Sequence, residues 1–181
     1  MARLIWLMGA SGAGKDSLLN ALRKQPVENV MVAHRYITRP ADDMGGENHL
    51  ALTEAEFLRR REKGLFVIDW QAHHLHYGIG IEVDVWLARG INVIVNGSRG
   101  HLPLAMSRYG TQLLPVCLHV SADALAQRLR QRGRESESEI QQRLQRVCEP
   151  PPVECHWLNN DGPLEETVSA LQDLLEDTLC A

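Results

Sequence analysis

The sequence predicts a single three-layer α/β domain, in which helices cover both faces of a mainly parallel sheet. Three short apolar runs support this fold class: "LIWLM" at 4–8, "INVIVNG" at 91–97 and "LLPVCLHV" at 113–120. Such nearly continuous runs are typical of parallel strands buried on both faces. Helix-like segments alternate with them, as expected of strand–helix–strand units. A chain of 181 residues is long enough for one domain with a substantial core.

The segments between and after the apolar runs carry helical patterns. Two of the predicted helices also have start signals. Thr53 followed by Glu56 forms a capping box, and Ser121 followed by Asp123 makes a similar start after the third apolar run. The predicted helices span 16–25, 53–63, 80–89, 99–108, 121–132, 137–147 and 163–179.

Residues 34–80 differ from the rest of the chain, since they are rich in His, Gly and polar residues with short alternating pieces. We expect a small antiparallel or irregular insert there, placed to close over a substrate. Near the other end, "EPPPVE" at 149–154 contains three successive prolines, so no regular structure is expected. This segment connects a helix to a last strand, "CHWLNN".

Composition restricts the classes of partner and the compartment. The net charge of −4 argues against general binding of nucleic acid or anionic membranes, although a local basic pocket stays open. No apolar run approaches the roughly 20 residues needed to cross a bilayer. The cysteines show no CxxC pairing and indicate reduced thiols in a cytoplasmic protein; they are Cys117, Cys148, Cys155 and Cys180.

The first apolar run leads into a phosphate-binding motif. Gly9, Gly14 and Lys15 match G-x-x-x-x-G-K-[ST] except at its last position. Glycines let the main-chain N–H groups converge on phosphate oxygens, and the lysine serves the β- and γ-phosphates of ATP. The competing interpretation is a glycine turn followed by a solvated lysine. The predicted ATP-binding residues before the lysine are Gly9, Ala10, Ser11, Gly12, Ala13 and Gly14.

The residue after Lys15 is Asp16, where the motif expects serine or threonine. A carboxylate is a hard oxygen ligand, so it can hold Mg²⁺ directly or through a water. Ser17 lies about 100° further around the helix and cannot simply replace the missing hydroxyl. We therefore predict altered magnesium ligation, by Asp16 with a contribution from Ser17, and not loss of nucleotide binding.

An arginine-rich segment is the second candidate for phosphate chemistry. Arg128 and Arg132 lie four residues apart on one helical face, Gly133 permits a turn, and Arg143 follows on the next helix. Arginine suits phosphate because its planar fork donates two hydrogen bonds and stays charged. The alternative is an exposed helix on which Arg and Glu side chains solvate one another.

Together these features resemble the guanylate-kinase branch of the P-loop nucleotide kinases. The matching segments occur in the family's order over almost the whole chain: "GASGAGKDSL", "YITRP", "ALTEAEF", "HYGIG", "RLRQRGRESESEIQQRL" and "LNNDGPLEETV". The resemblance implies a P-loop core, an acceptor-binding insert at about 34–80 and a lid at about 133–138. It also implies that Arg128 and Arg132 act on the transferring group, while Arg143 reaches a donor or acceptor phosphate.

The insert departs from the family pattern at the acceptor site. Arg39 matches the first of two phosphate-binding arginines, but Asp42 stands at the second. His49 aligns with the tyrosine that grips the acceptor phosphate. Asp69 aligns, across a one-residue gap, with the acidic residue that reads the guanine edge.

The strand at 91–97 departs as well, because Asn96 and Ser98 stand in place of aspartates and Arg99 is added. These replacements suit a purine poorly and a second anionic group on the acceptor well. The combination resembles the part of the family for which the acceptor is ribose 1,5-bisphosphate. It implies transfer from ATP, with Mg²⁺, to give 5-phosphoribosyl 1-diphosphate (PRPP) in phosphonate catabolism.

For that acceptor we expect Arg35 and Arg39 on one phosphate and Arg99 on the other. His49 and Tyr77 would line the pocket, with packing an equal alternative for Tyr77. Asn96 and Ser98 would hydrogen-bond ribose hydroxyls or a magnesium-bound water.

Two other functions stay open. The chain could phosphorylate GMP or another nucleoside monophosphate, or it could be a non-catalytic binding module of the same fold. Small-molecule partners are expected in either kinase case, and association into a homodimer is left open.

Overall fold

The computed structural model describes residues 1–41, 47–133, 135–147 and 154–179. Its core is a five-stranded sheet in the order β2-β7-β1-β8-β9, and all of its neighbouring strands pair in parallel. These strands are β1 (Leu4–Gly9), β2 (Val30–Val32), β7 (Asn92–Asn96), β8 (Leu113–His119) and β9 (His156–Asn159).

Helices pack on both faces of this sheet, so that alternate strand residues enter two separate cores. Ile5 and Leu7 pack with residues of α1, α5 and α7, whereas Leu4 and Trp6 pack with α3, α4 and the small sheet. All four side chains are fully buried. The helices are α1 (Lys15–Lys24), α2 (Glu54–Glu62), α3 (Glu82–Ala88), α4 (Leu102–Tyr109), α5 (Ala122–Arg132), α6 (Glu137–Val147) and α7 (Leu164–Leu179).

A second, four-stranded sheet in the order β4-β3-β6-β5 is built from the segment between 35 and 80. The β5–β6 and β3–β6 pairs are antiparallel, and the β3–β4 pair is parallel. This small sheet packs onto the face of the core sheet that carries α3 and α4. Its strands are β3 (Arg35–Ile37), β4 (Leu50–Ala51), β5 (Phe66–Ala72) and β6 (Leu75–Gly80).

The observed architecture confirms the predicted fold class. The three apolar runs are the central strands β1, β7 and β8. The Oγ1 of Thr53 accepts a hydrogen bond from Glu56 N, and the Oγ of Ser121 accepts one from Ala124 N, so both start signals are real caps. The capping box at Thr53 is not reciprocal in the way predicted, because the Glu56 carboxylate accepts from Arg60.

Two elements differ from the prediction. The short edge strand β2 was missed because Val30–Val32 is a run of three residues with an exposed centre, too short for a periodic signal. The helix predicted over 99–108 begins as a single 3-10 turn, Arg99–His101, before α4. Pro103 lies in the first turn of α4, where its missing N–H costs no hydrogen bond. Within the described part of the chain, no helix is both long and apolar enough to span a membrane.

Candidate active site

The glycine-rich loop connects the carboxyl end of β1 to α1. Gly12 and Gly14 adopt φ values of 90° and 98°, which side chains other than hydrogen rarely tolerate. Gly14 is also the N-cap of α1 and brings no side chain to the first-turn N–H groups. The loop therefore presents main-chain donors and the positive end of a helix dipole at one place, which is the chemistry that binds phosphate.

The Lys15 ammonium lies across this loop. Its Nζ donates to the carbonyl oxygens of Gly9, at 2.8 Å, and Ala10, at 3.1 Å. Burial lowers the pKa of Lys15 to about 8; the Asp16 carboxylate opposes that shift and the charge of Arg35 adds to it. Two main-chain carbonyl groups of the loop thus hold the ammonium in place.

Asp16 faces the end of the neighbouring strand β7. Asn96 Nδ2 donates to Asp16 Oδ1 across 3.1 Å. The Asn96 residue is only 4% exposed, and its Oδ1 has no hydrogen-bond partner among the described residues. Burial, and next the charge of Glu47, raises the pKa of Asp16. Ser17 is exposed on the following helical position, and no contact of its side chain joins it to this pair in the described structure.

Strand β3 and the segments between β3 and β4 bring together three predicted acceptor residues and a carboxylate that the sequence did not single out. Arg35 donates from Nε and one Nη to the two oxygens of Glu47, at 2.6 and 2.5 Å. Arg39 places an Nη 3.7 Å from the same carboxylate. His49 is buried, with Nδ1 2.9 Å from Glu47 O and Nε2 3.0 Å from Arg39 O.

Tyr77 belongs to a stack of rings that links the small sheet to the loop after β7. It is 9% exposed, lies parallel to Trp70 at 5.5 Å, and has the Arg35 guanidinium over its ring at 5.2 Å. Trp70 stacks in turn on His101 at 5.0 Å. The Nδ1 of His101 lies 3.2 Å from Ser98 Oγ. The Tyr77 ring therefore packs against the Arg35 guanidinium. The Ser98 hydroxyl contacts the imidazole of His101.

Arg99 begins the 3-10 turn after β7, at the carboxyl edge of the core sheet. Its charge helps to lower the pKa of Lys15, after the larger effects of burial and of the charge of Arg35. The structure thus places Arg99 on the same side as the P-loop. Asp69 precedes Trp70 in β5, so their side chains point to opposite faces of the small sheet. The Asp69 carboxylate lies 4.0 Å from Arg61 of α2.

Arg128 of α5 contacts the turn between β9 and α7. One Nη donates to Asn160 O at 2.5 Å. Asn160 is almost fully buried, and its Nδ2 donates to Ala13 O in the P-loop at 2.6 Å, while its Oδ1 accepts from Thr167 at 2.8 Å. Asn160 therefore ties the P-loop to the turn that Arg128 covers.

Several predicted residues fall outside the described part of the structure. The side chains of Arg132 and Arg143 are among them, as is Asp42. The predicted lid at about 133–138 includes Arg134, which is likewise outside it. On either side of that residue, Arg130 of α5 and Glu137 of α6 form an exposed ion pair at 2.6 Å.

Two residues of the site were missed by sequence reasoning. Glu47 follows two glycines in a polar stretch, and nothing in its local pattern marks a buried carboxylate. Asn160 lies in "LNNDG", a segment that carried the family resemblance, so the position of two asparagines at a strand end was the available signal.

Comparison with known proteins agrees with this geometry. The family model described as guanylate kinase matches residues 1–178. The chain belongs to the guanylate kinase family. A solved member, the guanylate kinase from Anaplasma phagocytophilum, superposes with a TM-score of 0.72 over 98% of this chain and 85% of that one. The two are 16% identical, so this likeness concerns the guanylate kinase fold alone.

Closer relatives within the family carry another name. This chain is 62% identical over 177 residues to the ribose 1,5-bisphosphate phosphokinase PhnN of Dickeya zeae (strain Ech586), which covers 97% of the chain and 94% of that protein. It is 61% identical to the protein of the same name from Pantoea vagans (strain C9-1), over 97% of the chain and 98% of that protein.

Proposed function

We propose that the protein transfers the γ-phosphoryl group of ATP to ribose 1,5-bisphosphate, giving 5-phosphoribosyl 1-diphosphate and ADP. The observation that carries the proposal is the 62% identity, over 97% of the chain, to a protein named for that phosphokinase activity. An intact P-loop with its lysine is consistent with an active kinase rather than a binding module.

The reaction needs positioning and charge compensation more than proton transfer. An oxygen of the acceptor's 1-phosphate, already anionic near neutral pH, attacks the γ-phosphorus while the bond to the leaving ADP oxygen breaks. Such phosphoryl transfer is accelerated by in-line alignment and by cations around the transferring group. The main-chain donors of 9–14 bind the ATP phosphates, and Lys15 binds the β- and γ-oxygens. Arg128, Arg132 and Arg143 stay predicted ligands of the transferring group.

The residues at Asp16 fit a magnesium ion. Carboxylate and amide oxygens are ligands that Mg²⁺ accepts, and Asn96 Oδ1 is a buried oxygen without a partner among the described residues. In P-loop NTPases the ion is held by the loop Ser/Thr and a strand aspartate. Here the carboxylate belongs to the loop, at Asp16, and the neutral oxygen to the strand, at Asn96. When bound, Mg²⁺ neutralises phosphate charge.

The acceptor side supplies separate cations for two phosphates. Arg39 lies two residues after β3 of the small sheet, and Arg99 lies three residues after the end of β7 in the core sheet. Asn96 and Ser98 lie at that same end of β7 and stay candidates for ribose hydroxyls. A guanine-reading role for Asp69 is disfavoured, because this carboxylate faces α2 on the side of β5 opposite Trp70.

The physiological setting belongs to the same proposal. We place the reaction in the cytoplasm and in phosphonate catabolism, where ATP is available and the cysteines stay reduced. Cys117 and Cys155 form no disulfide in the described structure, and the net charge is −4. The proposed reaction makes ATP and the ribose compound the partners of the protein. A homodimer stays a prediction.

A phosphorus NMR assay tests the proposal. The purified protein with Mg-ATP is offered ribose 1,5-bisphosphate and GMP in parallel reactions, with a Lys15→Ala variant as the control. A new diphosphate signal from the ribose compound alone supports the function, and the control abolishes it. Product from GMP alone would establish the guanylate kinase alternative, and transfer to neither would refute both.

A further inference from the structure

Arg35 and Glu47 form a closed ion pair under the proposed acceptor pocket. The carboxylate receives two hydrogen bonds from the guanidinium, at 2.6 and 2.5 Å, in the bidentate geometry that makes such pairs strong. Their side chains are 14% and 10% exposed. The Arg35 guanidinium also lies over the rings of Tyr77 and Trp70, at 5.2 and 5.9 Å. Its position is therefore fixed on several sides.

The pair lies within electrostatic reach of the P-loop. The charges of both members act on Lys15, and after burial the charge of Glu47 is the largest cause of the raised pKa of Asp16. A change in the pairing of Glu47 would therefore change the electrostatic potential at Lys15 and Asp16, in the proposed ATP site.

Arg39 is more exposed than Arg35 and less closely paired with Glu47. Its side chain is 39% exposed, and its Nε has no hydrogen-bond partner among the described residues. One Nη lies 3.7 Å from Glu47 Oε2, an ion-pair distance without a hydrogen bond, and 3.4 Å from Nδ1 of His49. A partly exposed guanidinium with only a distant counter-charge can bind a phosphate, whereas one whose charge is already matched by two hydrogen bonds contributes little net attraction.

His49 holds the two sides of this arrangement together. Its ring nitrogens face main-chain oxygens on both sides, Glu47 O at 2.9 Å and Arg39 O at 3.0 Å. The Arg39 Nη lies 3.4 Å from Nδ1 of the same ring. The spacing between Glu47 and Arg39 is thereby set, and their present ion-pair distance of 3.7 Å is close enough to shorten to a hydrogen bond if Glu47 lost Arg35.

We infer that Glu47 is a positioning residue that keeps Arg35 in a closed pair, so that Arg39 alone of the two binds the acceptor phosphate. The inference rests on the proposed function for the identity of the acceptor. It offers an alternative to the expectation that Arg35 and Arg39 share one phosphate: Arg35 would keep Glu47 from forming a hydrogen-bonded pair with Arg39.

A cycle of three variants tests the inference: Arg35→Gln, Glu47→Gln and the double variant. In Arg35→Gln the released Glu47 pairs with Arg39, so the KM for ribose 1,5-bisphosphate rises at least about tenfold. Adding Glu47→Gln frees Arg39 again and restores KM to within about threefold of the parent. An Arg39→Gln variant keeps a raised KM in every background. A double variant as impaired as Arg35→Gln would overturn the inference, because Arg35 would then bind the phosphate itself.

Two further measurements keep the outcome interpretable. Urea unfolding verifies that each variant folds, with Glu56→Gln/Arg60→Gln as the matched control, since that pair lies on α2 and is more exposed than Arg35 and Glu47. Titration with inorganic phosphate, followed by phosphorus NMR, supplies a readout without turnover. If the parent fails to phosphorylate the ribose compound but phosphate affinity follows the same order among the variants, the proposed function fails and the role of Glu47 stands.

Discussion

Asn96 donates a hydrogen bond to Asp16 across 3.1 Å, joining the end of β7 to the first turn of α1. Both residues differ from what P-loop enzymes place at these positions, which is a hydroxyl on the loop and a carboxylate on the strand. One negative charge is present in either arrangement. We therefore expect the two departures to compensate one another at the proposed magnesium site.

The first prediction is that the two positions can be exchanged together. We expect Asp16→Ser to lower kcat/KM for MgATP about 100-fold, because it removes the charged oxygen from the metal site. Adding Asn96→Asp returns the carboxylate to the strand and should recover at least about tenfold. The measurements are steady-state kinetics over a range of Mg²⁺ concentrations, and Mn²⁺ affinity by electron paramagnetic resonance in the presence of ADP. No recovery in the double variant, by either readout, would contradict the exchange.

The second prediction concerns Gly14, which meets two separate restrictions. Its φ is 98°, and a Cβ there would lie 2.5 Å from Asn160 Nδ2, the group that donates to Ala13 O. We expect Gly14→Ala to weaken ATP binding at least about 100-fold, because the clash moves the P-loop. Gly90→Ala is the matched control, with φ 81° but nothing within 4 Å of the added Cβ.

Isothermal titration with ATP and urea unfolding separate the two restrictions. The control should lose about 1 kcal/mol of unfolding free energy and keep its ATP affinity, since only the backbone conformation is affected. Equal ATP affinities in the two variants would show that the contact with Asn160 is unimportant.

Much of this fold could be predicted because its strands are buried on both faces. The runs that became β1, β7 and β8 are continuous and apolar, so their assignment as buried parallel strands follows from hydrophobic pattern alone. The strand β2 is defined by its pairing with β7, which is a tertiary contact. Its three residues are too few to show a hydrophobic period.

The site was predictable to the extent that its chemistry is local. The P-loop is a contiguous motif, and its backbone φ values follow from its glycines. The partners of Asp16 and Arg35 are distant in sequence, 80 and 12 residues away. Sequence could propose Arg35 as a phosphate ligand, but only the folded arrangement reveals Glu47 already bound to it.

The third prediction is a pH dependence of stability that comes from Glu47. Burial alone would raise the pKa of this carboxyl, but the hydrogen bonds and charge of Arg35 outweigh it and bring the pKa below the ordinary 4.5. The folded state therefore binds the proton less readily than the unfolded state. The resulting stability is fully present above about pH 5 and is lost as the pH falls through the lowered pKa.

Urea unfolding from pH 7 to pH 3 measures this contribution. We expect Glu47→Gln to lose about 2 kcal/mol at pH 7, because Arg35 is left without its buried counter-charge. The difference from the parent should shrink as the pH falls below about 4.5, where the Glu47 carboxyl of the unfolded parent takes up a proton before that of the folded parent. Glu56→Gln, which breaks a more exposed pair, should cost under about 1 kcal/mol. A Glu47→Gln difference that stays constant over the whole range would contradict the assignment.

The last prediction assigns Arg99 to the acceptor's second phosphate. We expect Arg99→Gln to lower kcat/KM for ribose 1,5-bisphosphate by about 10- to 100-fold, the value of a charge-assisted hydrogen bond of roughly 1.5–3 kcal/mol. Ribose 1-phosphate keeps the accepting group but lacks the 5-phosphate. As an acceptor it should be poor with the parent and no poorer with the variant, because the contact that Arg99 supplies is absent in both cases. Arg39→Gln serves as the contrast, since it should impair both acceptors by a similar factor. An equal loss for both acceptors in Arg99→Gln would instead place Arg99 on the transferring group or on ATP, because those contacts are common to the two reactions.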